Sequence, residues 1–134
     1  MLQNKNEAIE RIIREMCSAV PGLQAVSIID GEGVTLAKAI SEEISEYSFL
    51  DENSISQLMI TAFHDISGIS RKAGKGSVDI IIVKSSEGAF FMREIESPET
   101  SACVRIIVFA DSIIPIELAL LHIKKSSRQI AKII

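Results

Sequence analysis

The stretch RKAGKGS, residues 71–77, decides between two architectures. As a phosphate loop it would join a strand to a following helix and mark a nucleotide enzyme. As the end of a helix it would lead into a strand and carry no such chemistry. The phosphate loop needs glycine, four residues, then glycine-lysine-serine or threonine. Here Gly68 precedes Gly74 by one residue too many, and Lys75 is followed by Gly76, so the metal-binding hydroxyl is missing. The order is also reversed, because a helical pattern precedes the stretch and an apolar run follows it. Carbonyls exposed at a helix end repel phosphate. The stretch therefore reads as a helix terminus. Gly74 takes the left-handed closing conformation. Arg71, Lys72 and Lys75 sit where cations favour the terminus, and Gly76 swings the chain into a strand.

Upstream, a helix is expected from residue 51 or 53 to residue 72. Its main apolar face is Ile55, Leu58, Met59, Ala62, Ile66 and Ile69. Ile60 and Phe63 lie off that face and form a second stripe with Ser56 and Ser67. A helix buried on one side carries such a stripe only when a partner covers it. Downstream, VDIIIVK (78–84), a Ser86-Glu87-Gly88 turn and AFFMREI (89–95) make a hairpin. Ser97-Pro98-Glu99 breaks the chain, and ACVRIIVFA (102–110) makes a fifth strand. These last three strands are apolar on both faces, so helices should cover both sides of the sheet.

The first half reads in the same way. Ile9, Ile12, Ile13, Met16 and Val20 line one face of a helix over residues 6–20, ended by Pro21-Gly22. LQAVSIID (23–30) and VTLAKAI (34–40) are strands joined by the Asp30-Gly31-Glu32-Gly33 turn. Residues 41–52 are polar and read as a loop packing Tyr47 and Phe49 back onto the body. A last helix carries Ile116, Leu120, Ile123, Ile130 and Ile134 on its buried face, with Asp111 or Ser112 as cap and Pro115 in the first turn. The order is αββαβββα, an α/β chain of the α+β kind. The 134 residues are expected to form one domain (1–134), with no linker or repeat apparent in the sequence.

Composition excludes several classes of function. Fourteen basic against eighteen acidic residues give a net charge of -4, which argues against nucleic acid and against charge-held lipid binding. The N-terminus lacks the apolar run of a signal peptide, and no segment reaches the ~20 apolar residues of a membrane span. No membrane insertion is expected, and the location is expected to be cytoplasmic. Cys17 and Cys103 show no metal-ligand or disulfide spacing and read as buried thiols. His64 and His122 lack partners at ligand spacing. Glu42, Glu43 and Glu46 read as a solvated loop. No nucleophile elbow, metal set or cofactor motif emerges, so no cofactor and no enzymatic activity are expected.

The turn Asp30-Gly31-Glu32-Gly33 running into Val34-x-Leu36-Ala37, with PGLQAVSIID before it, resembles the Roadblock / dynein light-chain family. The long helix followed by VDIIIVKSSEGAFFMREI is similar to that family's central segment. The last helix departs from it, since DSIIPIE stands where family members often carry Asn and Gly. The resemblance implies a Roadblock- or profilin-like fold: a five-stranded antiparallel sheet, with the first and last helices on one face and the second on the other. It also implies a non-enzymatic dimer that scaffolds or regulates a small Ras-like GTPase. The dimer would be a homodimer, or a heterodimer with another Roadblock-like chain. Pairing through the second helix and the strand after it would place Ser56, Ile60, Phe63, Ser67, Val78, Ile80 and Ile82 at the interface. The alternative is a PAS- or profilin-like sensor of a small ligand, with Ala37, Ala39 and Ala102 lining a cavity.

Overall fold

The computed structural model describes residues 2–41 and 52–134. The expected loop carrying Tyr47, Phe49 and the three glutamates lies outside the described residues. The elements run α1 (Leu2–Ala19), β1 (Leu23–Ile29), β2 (Thr35–Ile40), α2 (Glu52–Lys72), β3 (Ile80–Ser85), β4 (Gly88–Glu96), β5 (Cys103–Ala110) and α3 (Ile116–Ala131). This is the αββαβββα order read from the sequence. The five strands form one antiparallel sheet in the order β2-β1-β5-β4-β3.

Two layers of side chains fix the helices. Ile9, Ile13 and Met16 of α1 and Ala119, Ile123 and Ile130 of α3 pack on one sheet face with Val26, Ile28, Phe91, Ile106 and Val108. Met59 and Phe63 of α2 pack on the other with Ile29, Met92 and Ile107. Alternation along a strand sends successive side chains into opposite layers. Burial therefore runs almost unbroken along β5, which lies near the centre and is covered on both faces. β3 stands at an edge, is mostly half-buried or exposed, and pairs only with β4 among the described residues.

RKAGKGS closes α2 as read. Gly74 has φ +72, its N–H donates to Arg71 O, and the Lys75 N–H donates to Ser70 O. That pair of bonds is the Schellman closure, which satisfies carbonyls the helix end leaves open. The Ser70 hydroxyl donates to Gly76 O at 2.7 Å. The Gly74 and Lys75 amides, which a phosphate loop would turn to its ligand, are thus already engaged. The same holds at the β1–β2 turn, where Asp30 Oδ1 accepts the N–H of Glu32 and of Val34.

The start of α3 differs from expectation. Pro115 is the N-cap rather than a first-turn residue, and no side chain caps it. Asp111 is engaged one turn earlier. Its Oδ1 accepts the Ile113 N–H, and its own N–H donates to Gly22 O, tying the end of β5 to the α1–β1 turn.

Candidate interaction surface

α2 turns its second stripe inward and divides the main face read from the sequence: Ile55 and Met59 pack on the α2-side core, and the rest of that face does not. Ser56, Phe63 and Ser67 are buried inside the chain together with Met59. Ile60 is half-buried, packed on the α2-side core and near Gly33 of the β1–β2 turn. Leu58 is 69% exposed and Ile69 66%, and Ala62 and Ile66 are exposed beside them. The helical period shows that two apolar stripes exist, but not which one meets the sheet. Phe63 decides it, because one large ring fills the space above Ile107 and Met92. The small serines at 56 and 67 lie on the same buried side. Gln57 Nε2 donates to Glu32 O at 2.9 Å and ties the start of the helix to the turn in that orientation.

The expected β3 residues divide. Val78 packs on the α2-side core, and Ile80 on the opposite one. Ile82 is 39% exposed on the edge strand. Among the described residues, the outward face of α2 (Leu58, Ala62, Ile66, Ile69) and the unpaired β3 edge are thus the apolar features that these elements leave uncovered.

Arg105 is a feature the sequence reading passed over. It stands in the apolar strand β5 and is only 6% exposed. Its Nη2 donates to Glu94 Oε2 at 3.2 Å, and its guanidinium lies 5.2 Å from the Phe63 ring centre. Nε and Nη1 have no partner among the described residues. The signal was present, a single cation inside ACVRIIVFA, and its neighbour across the strand pair is Glu94. Glu94, Glu96 and Cys103 bring their ligand atoms within 4.8 Å of one another. Arg105 already compensates Glu94. Burial, followed by the charge of Glu94, pushes the Cys103 thiol up to about 11. The Arg105 charge beside Glu94 and the protonated state of the thiol both oppose a cation there.

A cavity of about 680 Å³ opens between the end of α1 and strands β1 and β2. Of the three alanines expected to line a ligand cavity, Ala39 is at its wall, with Arg14, Cys17 and Lys38. Ala37 is buried in the core and Ala102 is exposed. Arg14 pairs with Glu10, and Lys38 is also engaged. Neither cation is held ready for a ligand. His64 is exposed on α2, and His122 is half-buried on α3. No helix among the described residues is long and apolar enough to cross a membrane.

No protein-family model matches the chain, and no curated protein matches it in sequence. Solved structures match it in fold. MglB with a tetrameric arrangement superposes with a TM-score of 0.82 at 15% identity, over 96% of this chain and 89% of that one. Gliding protein MglB from Thermus thermophilus gives 0.81 at 16% identity, over 96% and 90%. The Roadblock/LC7 domain from Streptomyces avermitilis gives 0.69 at 10% identity, over 90% and 92%. The order of elements, the five-stranded antiparallel sheet and the placement of its three helices are therefore those of the Roadblock/LC7 fold.

Proposed function

We propose that this chain is a dimeric scaffold that regulates a small Ras-like GTPase by contact rather than by chemistry of its own. The observation that carries the reading is the outward stripe of α2, with Leu58 and Ile69 each about two-thirds exposed. Exposed apolar groups in a row along one helix mark an interaction surface. The fold similarity to gliding protein MglB, one structure of which is tetrameric, supports assembly and a signalling role. The resemblance to Roadblock proteins supplies the kind of partner.

The dimer pairs through α2 and the β3 edge, as the resemblance implied, but with a different helix face. Leu58, Ala62, Ile66 and Ile69 meet the partner, and β3, including Ile82, extends the sheet. Ser56 and Phe63 support that surface from below. Pairing at β3 removes a free strand edge, which is otherwise a liability. Titrating a small Ras-like GTPase, loaded with GDP or with a GTP analogue, into the chain by calorimetry tests the reading. Binding that differs between the two nucleotide states is expected; heat-silent titrations in both states contradict it.

A further inference from the structure

We propose that the outer face of α3 is a docking surface for an acidic segment of a partner protein. It goes beyond the GTPase-scaffold reading and does not rest on it, since α3 lies on the opposite sheet face from α2. Residues 117–132 carry Lys124, Lys125, Arg128 and Lys132 against the single carboxylate Glu117, in a chain of net charge -4. All four cations are exposed, and among the described residues none is in an ion pair or a side-chain hydrogen bond. At helical spacing they lie on one side, with Leu121, 62% exposed, one turn before them.

Helix stability does not explain this arrangement. The macrodipole favours cations only within the last turn, which accounts for Arg128 and Lys132 but not for Lys124 and Lys125. Lys124, Arg128 and Lys132 also stand at successive i,i+4 positions, where like charges destabilise a helix. No acid is placed at that spacing to relieve them. The stripe therefore costs the fold something and fits an external anion. An exposed apolar side chain followed along the helix by unpaired cations matches a segment of glutamates and aspartates carrying one apolar anchor.

A protein segment fits better than a lipid surface. A flat membrane would also meet α1, packed beside α3, whose acidic Glu7, Glu10 and Glu15 cancel its basic Lys5, Arg11 and Arg14. A narrow segment lying along residues 121–132 of α3 meets Leu121 and cations, with the carboxylate of Glu117 one turn before it.

The probe is a fluorescein-labelled helical peptide rich in glutamate with one leucine per turn, followed by anisotropy. The triple variant Lys124→Gln, Lys125→Gln, Arg128→Gln keeps the side-chain bulk and avoids placing acids near the helix end. It should bind at least about tenfold more weakly than the parent, and the parent's affinity should fall with added salt. Lys5→Gln with Lys75→Gln, exposed cations outside α3 and β3, should change affinity by less than about twofold, the range expected of peripheral charges. Leu121→Ala should weaken binding at every salt concentration. Equal losses in the α3 and control variants, or no binding by the parent, overturn the proposal. So does α3-dependent capture by phosphatidylserine–phosphatidylcholine vesicles without peptide binding, which would make the face a lipid contact. A change in solution mass in the α3 variant would make the occupant a second copy, and also overturns it. Circular dichroism of each variant confirms that the fold is kept.

Discussion

At Arg105 the chain buries a full positive charge in the middle of a sheet. The guanidinium has Glu94 and the face of Phe63 as partners, while two of its nitrogens have none among the described residues. Breaking a buried pair from one side leaves an uncompensated charge, whereas replacing the cation by an apolar group of similar volume is often neutral. Glu94→Ala should therefore destabilise the chain by about 2 kcal/mol. Arg105→Met should change stability by less than about 1 kcal/mol, and adding Glu94→Ala to it should cost little more. Urea unfolding of the three variants checks this; an Arg105→Met loss as large as that of Glu94→Ala would show that the guanidinium itself holds the fold. The two cysteines make a second prediction. Burial pushes the Cys17 thiol from the usual 9.0 to about 11, and desolvation does the same at Cys103. A thiol whose pKa is raised by folding contributes stability that is complete below pH 9. That contribution declines between about pH 9 and about pH 11, as the unfolded chain ionises first. Unfolding midpoints measured across that range should fall, and Cys17→Ser should flatten part of the fall. A midpoint independent of pH there would contradict the burial argument.

The elements show what a sequence does and does not encode. The Gly74 closure of α2 was legible in residues 71–77, because only a helix end explains that glycine and charge in that order. The Asp30 turn was legible because a short glycine-containing stretch joins two strand-like runs. The strands were legible within two residues at each end, since their apolar runs are bounded by glycine, serine and proline. The orientation of α2 was not. Its two stripes are both apolar, and the choice between them depends on how one ring, Phe63, fills a space built by β1, β4 and β5. The N-cap of α3 was misplaced for a related reason. Asp111 has the right chemistry for a cap, but the turn between β5 and α3 uses its carboxylate first. The corrected faces of α2 give opposite predictions. Phe63→Ala should cost about 3–5 kcal/mol and lower the melting temperature, because it opens a hole in the α2-side core. Leu58→Glu with Ile69→Glu should leave the monomer's stability nearly unchanged, within about 1 kcal/mol, as substitutions on an exposed face usually do. Thermal unfolding of both proteins at low concentration decides the matter; a stable Phe63→Ala would return the helix to the orientation first read from the sequence.

At the scale of the whole molecule, one sheet separates two kinds of surface. The α1–α3 side is closed by a large aliphatic core and ends in the basic stripe of α3. The α2 side has a smaller core and leaves an apolar helix face and a strand edge open. The proposed scaffold would use that asymmetry, assembling through the α2 side and leaving the α1–α3 side available. The fold was legible from the order of elements. Which surface a partner covers was not legible, because a partner's contribution is not written in one chain. Light scattering across a dilution series tests the central claim most directly. The parent should have twice the 14.6 kDa mass of the chain, and the Leu58→Glu, Ile69→Glu variant should have the mass of one chain. A parent that is monomeric at every concentration, or a variant that stays dimeric, would contradict it.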